Sequence, residues 1–306
     1  MFSIETHLPD NISELYRLEE FKQLVKDIII PCNGQVNRCV KQAWQSVQIE
    51  WEERSLDEII QIRSKHNFSP TKYYDLATSI QIAKTLLLCQ YGRKKVAKRF
   101  ILQVYAVLKK IFLKRNTLAI IGQAGDGKEF FLPTIFTLVW NVGYVDGNSN
   151  FNCQDLLNRS LGVVEHFKFK PPQIGRYKNV FAGRGSQIKY RNEWTTLRRI
   201  PIIITSNNRF IDQLDYPQAF EQRMFINYWQ PQPWLDKLSK RLHPLILPHL
   251  AKESFQNVLS VSEVVSLAEP NYDTPIYKML QHSDSDSDAD LDSDSDLERD
   301  LQLVEC

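Results

Sequence analysis

Residues 116–130 read NTLAIIGQAGDGKEF: a short apolar run at 118–121, then Gly122, four residues, Gly127 and Lys128. In this spacing the glycines let backbone N–H groups turn inward around phosphate oxygens, and the lysine reaches the outer phosphates. The loop Gly122, Gln123, Ala124, Gly125, Asp126, Gly127, Lys128 is therefore a candidate triphosphate cradle, with ATP the expected ligand. The next position ordinarily supplies a Ser or Thr hydroxyl to Mg²⁺. Here it is Glu129, a carboxylate able to ligate Mg²⁺ but adding negative charge beside the phosphates. The plain alternative is a Gly-rich turn with no ligand.

Four further groups bear on the same chemistry. Glu165 closes the apolar run LGVV, and an acid at the carboxyl end of a buried strand is placed to hold Mg²⁺ beside a phosphate loop. An edge acid with no partner reads equally well. His166 follows it, and three roles stay open: a core histidine, a surface one, or one touching an attacking water. In PIIITSNN (201–208), Asn207 could orient water near a terminal phosphate, although Asn also simply suits a turn. Arg223, in EQRMF, could reach a neighbouring subunit's nucleotide and stabilise phosphoryl transfer; a solvated arginine is its default. Residues 178–199 interleave Lys178, Arg184, Lys189, Arg191, Arg198 and Arg199 with Tyr190 and Trp194. Bases among aromatics suit single-stranded nucleic acid, by phosphate contact and stacking, and also suit an ordinary exposed hairpin.

The elements that must position these residues follow from periodicity. The segments 118–121, Leu161–Glu165 and 202–205 are apolar without strict alternation, as strands of a parallel sheet buried on both faces are. The phosphate loop should open a helix near Lys128, with Pro133 kinking it or shortening its first segment. Residues 11–114 read as helical: apolar residues recur at three- and four-residue spacing in ISELYRLEEFKQLVKDIII and again from Val36. Ser69-Pro70 is a helix start and Gly92 a stop, and a further amphipathic run covers 96–113. YWQPQPW (228–234) is the exit from the sheet, and 235–267 turns helical again. The Ser-Asp repeat at 283–296 cannot bury apolar surface and repels itself, so it is expected to be disordered.

Bulk properties bound the class. With 306 residues and 43% hydrophobic content, the chain can bury one large core or two small ones. The longest apolar candidate, 100–113, is broken by Lys109 and Lys110, and the first residues, MFSIETHLPD, lack a basic start and a long apolar core, so neither a membrane span nor a signal peptide is expected. The five cysteines (Cys32, Cys39, Cys89, Cys153, Cys306) form no CxxC pair and read as reduced thiols. The net charge of +2 hides a split: residues 283–306 carry ten acids and one arginine, −9, while the rest holds 37 bases against 26 acids, +11. A basic body with an acidic appendage suits a polyanion-binding protein.

The order of these elements carries more than any one of them. Strand–GxxxxGK, a strand ending in an acid, a basic hairpin, a strand ending TSN and an arginine before an apolar stretch together resemble the superfamily 3 helicases. The likeness is nearest to the helicase domain of the parvovirus large non-structural replication protein, in particular its densovirus-like members. The residues that carry it are KRNTLAIIGQAGDGK (114–128), NFNCQDLLNRSLGVVEHF (150–167), VFAGRGSQIKYRN (180–192), PIIITSNN (201–208) and AFEQRMF (219–225).

The resemblance implies an α/β, P-loop AAA+-like ATPase with a central mostly parallel sheet. It implies an N-terminal helical, oligomerisation region over 1–113, the ATPase core over 114–230, a C-terminal helical region over 231–280 and a disordered acidic tail over 281–306. Gly122, Gly127 and Lys128 would hold ATP phosphates. Glu165 would bind Mg²⁺ directly or through water, with Glu129 a second possible metal ligand. Lys189 and Arg191 would point toward DNA in a central channel. Asn207 matches the sensor asparagine, and Arg223 the finger acting across a subunit boundary, which requires a ring, usually a hexamer. The implied activity is ATP-driven unwinding of viral DNA in a host nucleus. Two positions depart from the family pattern: Glu129 replaces Ser/Thr and His166 replaces a second acid. A hydrolysis-deficient DNA-binding or oligomerisation module, derived from such a helicase as a truncated or endogenised form, is the alternative. The family's nicking domain uses a His-x-His pair; among His7, His66, His166, His243, His249 and His282 no two are so spaced, so no nicking activity is expected.

Overall fold

The structure is a computed structural model and describes residues 16–17, 19, 21–23, 36–146, 153–168, 170–190, 193–213, 217–252, 255 and 258–268. The expected helix over 12–30 lies mostly, and the Ser-Asp tail wholly, outside the described residues.

Four helices come first: α1 (Val36–Glu53), α2 (Leu56–Arg63), α3 (Leu76–Tyr91) and α4 (Lys94–Leu108). Then β1 (Thr117–Gly122), α5 (Lys128–Val139), β2 (Val142–Asp146), β3 (Leu161–Glu165), α6 (Ile174–Phe181), the hairpin β4 (Ser186–Tyr190) and β5 (Glu193–Leu197), β6 (Ile202–Ser206), a short α7 (Gln218–Glu221) and β7 (Met224–Trp229) follow. Two short helices, α8 (Ile246–Lys252) and α9 (Val261–Ala268), end the described chain.

Five strands form one sheet in the order β2-β3-β6-β1-β7, every neighbouring pair parallel. Parallel pairing requires crossovers, so both faces are covered, and the apolar strands respond as expected: all six residues of β1 are buried. Successive side chains alternate between two cores. Leu118, Ile120, Leu161, Val163 and Ile203 face one that includes α3, α4, α5 and α8. Ala119, Ile121, Val164, Ile202 and Ile204 face the other, with Tyr177 and Phe181 of α6 and with Phe210 and Phe220.

The helical N-terminal segment is locked to the sheet by buried polar bonds. Trp51 is fully buried and its indole N–H donates to the Val139 carbonyl at 2.6 Å. Tyr91 of α3 accepts from the Trp229 indole at 2.9 Å and donates to Asn227 at 2.9 Å, joining α3 to β7.

Three expectations are corrected. Helix α3 begins at Leu76, not after Ser69-Pro70, because Asp75 caps it by accepting from the Thr78 N–H at 2.9 Å. The stop holds: Gly92 takes the left-handed conformation, φ 68°, and its N–H bonds to the Leu88 carbonyl. Helix α5 runs through Pro133 unbroken. The proline lies within its second turn, so the one backbone bond it forfeits is that to Glu129, an exposed first-turn residue whose carbonyl is within reach of water. Residues 235–267 are helical only in part: the 3₁₀ turn at Pro233–Lys237 reaches into them, Pro244 lies in the stretch between that turn and α8, and only the short α8 and α9 are helical beyond it.

Candidate functional site

Strand β1 lies between β6 and β7, and the loop that leaves its carboxyl end folds back on itself. Gly125 and Gly127 both adopt positive φ, 76° and 92°, where a side chain would be strained. Gly122 is required for another reason: a Cβ there would fall 2.0 Å from an Asp126 carboxylate oxygen and 2.7 Å from the Trp229 carbonyl. The loop is braced from outside its own motif. Gln90 of α3 donates to the carbonyls of Asp126 (2.7 Å) and Gln230 (2.8 Å) and accepts from the Gln230 N–H (2.7 Å). Gln232 N–H bonds to the Gly125 carbonyl at 2.7 Å. Neither glutamine was legible as a loop-holding residue, for each acts from a different part of the chain.

Lys128 is buried at the first turn of α5. Its ammonium donates to the carbonyls of Gly122 (3.0 Å) and Gln123 (3.1 Å) and pairs with Asp126 at 3.0 Å. The other Asp126 oxygen accepts from the backbone N–H of Lys128 at 3.0 Å. One carboxylate thus engages both donors that Lys128 would offer to a phosphate, and it is almost wholly buried.

The carboxyl ends of β3 and β6 bring further groups to the same edge. Glu165 is the last residue of β3, separated from β1 by β6 alone, about 10 Å across two strand spacings. Glu129 and Glu165 are both exposed, and Lys128, Glu129, Glu165, His166, Thr205 and Arg241 line one cavity of about 450 Å³. Its far wall is apolar, with Phe136 and Trp140 from α5 and its end, and Tyr144 from β2. A cavity of this size, lined about equally by apolar and polar groups, is of the kind that holds small polar ligands. His166 is exposed and left-handed, φ 52°, which turns the chain so that Phe167 N–H reaches the Thr205 carbonyl at 3.1 Å. The core reading of His166 is thereby excluded. Two hard oxygen donors, Glu129 and Glu165, face one space beside the loop, and this donor chemistry fits Mg²⁺.

Asn207 is exposed, one residue past the end of β6, whose Ser206 registers with Ile121. It stands at the right edge of the sheet but is not among the residues lining the cavity. Arg223 is not brought to the site at all. It precedes β7 at the amino edge, about 20 Å from the loop at a strand's rise per residue, and its guanidinium donates to the carbonyls of Lys178 and Ala219. Lys189 lies in β4 opposite Trp194 of β5 in an antiparallel hairpin separate from the main sheet. Trp194 is 70% exposed. Arg191 lies outside the described residues. Arg241 was not anticipated; it comes from a segment with no motif. Among the described residues no helix is long and apolar enough to cross a membrane.

A parallel sheet with an inner strand, β1, feeding a glycine loop and a buried lysine, and with Glu165 ending β3 two strands away at the same edge, defines the P-loop class of α/β fold. The solved structures agree on fold: JCV helicase bound to a small molecule superposes with a TM-score of 0.51 at 11% identity, covering 88% of this chain and 83% of that one. Sequence relatives include Initiator protein NS1 of Bombyx mori densovirus, 29% identical over 202 residues, which make up 61% of this chain and 22% of the relative. Initiator protein NS1 of Diatraea saccharalis densovirus is 26% identical over 183 residues, 58% of this chain and 33% of the relative. The family model for parvovirus non-structural protein NS1 matches residues 37–227, and the chain belongs to that family. The match spans about a fifth to a third of the length of these relatives.

Proposed function

We propose that this chain is the ATP-dependent DNA helicase module of a parvovirus-type replication protein, working as a ring oligomer, with a hexamer the expected size. The observation that carries the reading is the convergence of Lys128, Glu129, Glu165 and Thr205 on one cavity at the carboxyl edge of the sheet. In it the loop from Gly122 to Lys128 holds the triphosphate, and Glu165, with Glu129 beside it, would hold Mg²⁺ directly or through water. A metal held there would neutralise charge on the outer phosphates. Asn207 orients the attacking water, and His166, exposed at the cavity wall, accepts its proton. Arg223 completes the site of the next subunit. Lys189, with Arg191, meets the DNA backbone, and the exposed Trp194 opposite Lys189 offers a face on which a base stacks. Residues 1–113 and 231–280 serve as the oligomer-forming collar and its C-terminal support around the 114–230 core. The place of action would be the host nucleus.

The second reading is a DNA-binding or oligomer-forming module that no longer hydrolyses ATP. The Asp126–Lys128 pair and the Glu129 carboxylate favour it, because the first occupies the donors that Lys128 would give to a phosphate and the second puts negative charge beside them.

ATP turnover with and without single-stranded DNA separates the two. The helicase reading expects DNA-stimulated hydrolysis that Lys128→Ala lowers by at least about tenfold. DNA binding with no turnover in either protein establishes the second reading instead. Glu129→Ser in parallel reports whether that carboxylate limits the rate.

A further inference from the structure

Arg241 stands out among the groups around the cavity because nothing in the motif accounts for it. It belongs to the turn between the 3₁₀ segment at Pro233–Lys237 and α8, yet its backbone is held on both sides by the segment that precedes α3. Arg241 N–H donates to the Lys72 carbonyl at 3.0 Å, the Tyr74 N–H donates to the Arg241 carbonyl at 2.9 Å, and Tyr73 and Arg241 form a parallel bridge. The next residues continue the anchor: Leu242 is buried, and His243 N–H donates to the Ser79 hydroxyl at 2.9 Å. A residue so clamped offers its side chain from a fixed Cα. That side chain is exposed, lines the cavity with Glu129 and Glu165, and forms no ion pair among the described residues.

Charge at the site makes the position matter. A triphosphate brings several negative charges to a cavity that already presents two carboxylates. The lysine of the loop is engaged with Asp126 and two carbonyls, and Arg223 of the same chain lies at the far edge of the sheet. Arg241 is the one cation lining the cavity, among the described residues, whose charge is not already met. Its guanidinium presents donors in a rigid fork that matches phosphate oxygens.

We propose that Arg241 contacts the terminal phosphate of a nucleotide held by its own chain's loop, so that the site tells ATP from ADP through a residue of the C-terminal segment. The proposal rests on the nucleotide-binding reading above. The contact therefore depends on the C-terminal segment staying docked on α3 and the residues before it.

The test compares fluorescent ATP and ADP analogues bound to the full chain and to Arg241→Ala, Arg241→Lys and Arg241→Gln, each checked for an unchanged melting profile. Wild type is expected to prefer ATP. In Arg241→Ala and Arg241→Gln, ATP affinity should fall about tenfold, with ADP affinity within about twofold of wild type, and Arg241→Lys should recover part of the preference. If Arg241→Ala does not fold, the Lys and Gln variants carry the comparison, since both keep the aliphatic stem. A preference retained in the variants, or no preference in wild type, overturns the role of Arg241 while leaving nucleotide binding standing. No binding of either nucleotide to wild type removes the underlying reading instead.

Discussion

Asp126 sets the terms on which the loop meets a phosphate. Its carboxylate accepts from the Lys128 N–H and from the Lys128 ammonium, and burial strengthens both contacts by lowering the local dielectric. On the proposed reading an incoming nucleotide would have to displace it, and part of the phosphate's binding energy would be spent separating a buried ion pair. Asp126→Asn keeps the shape and the acceptor for the backbone N–H but removes the charge, so nucleotide affinity is expected to rise by about tenfold. Titration with a fluorescent ATP analogue checks this, and unchanged or weaker binding would show that Asp126 supports the loop rather than competing for it. The contact was beyond the reach of sequence. The GxxxxGK spacing shows that Gly122 and Lys128 belong together, but not that the variable position between them turns inward. Gln90 and Arg241 were hidden for a related reason: contacts made across the fold leave no spacing to read.

At the scale of elements, the C-terminal segment clamps onto α3 and the residues before it, and a histidine within the clamp makes it pH-sensitive. His243 packs edge-on against Phe68 with ring centroids 5.0 Å apart, and its Nδ1 accepts from the Leu245 N–H at 3.2 Å. Partial burial holds its pKa below the ordinary histidine value, opposed by Asp75 and reinforced by His249. A depressed folded-state pKa means that the unfolded chain binds the proton more readily. The stabilising contribution is therefore complete above the unfolded value of about 6.5 and is lost as pH falls from there toward the folded value. Urea midpoints measured between pH 7.5 and 5.5 should fall more steeply for wild type than for His243→Asn, which keeps an acceptor but does not titrate. Equal slopes would remove His243 from the account. The strands tell how legibility varies among elements. Central β1, β3 and β6 were readable because burial on both faces demands unbroken apolar runs, as in LAII, LGVV and IIIT. The edge strand β2 was missed because one side is open: Tyr144 is 49% exposed and Asp146 ends it in solvent, so VGYVD carries no such run. At the other edge β7 was met only as an apolar stretch running into a proline-rich exit, with Asn227 and Tyr228 breaking its pattern.

For the whole molecule, the positions of Lys128 and Arg223 decide what a single chain can do. They lie at opposite edges of one sheet, about 20 Å apart along β1 and β7, so no side-chain motion brings Arg223 to its own chain's nucleotide. If Arg223 acts in hydrolysis it acts on another copy, and the two residues can be separated genetically within one assembly. Lys128→Ala subunits lack a working loop but still present Arg223; Arg223→Ala subunits keep the loop but present no finger. Each protein alone should be inactive, its turnover down by about two orders of magnitude or more. In an equimolar mixture, interfaces that join an Arg223→Ala loop to a Lys128→Ala neighbour contain both intact residues, about a quarter of all interfaces if assembly is random. ATP turnover of the mixture should therefore recover toward a quarter of the wild-type rate, with DNA present throughout. Additivity of two inactive proteins, with mixed assembly verified by cross-linking of differently labelled chains, would place Arg223 in the fold and not in the reaction. The local contacts allow for that result, since the guanidinium already ties α6 to α7 through the carbonyls of Lys178 and Ala219. Complementation is the outcome that a purely structural arginine cannot produce.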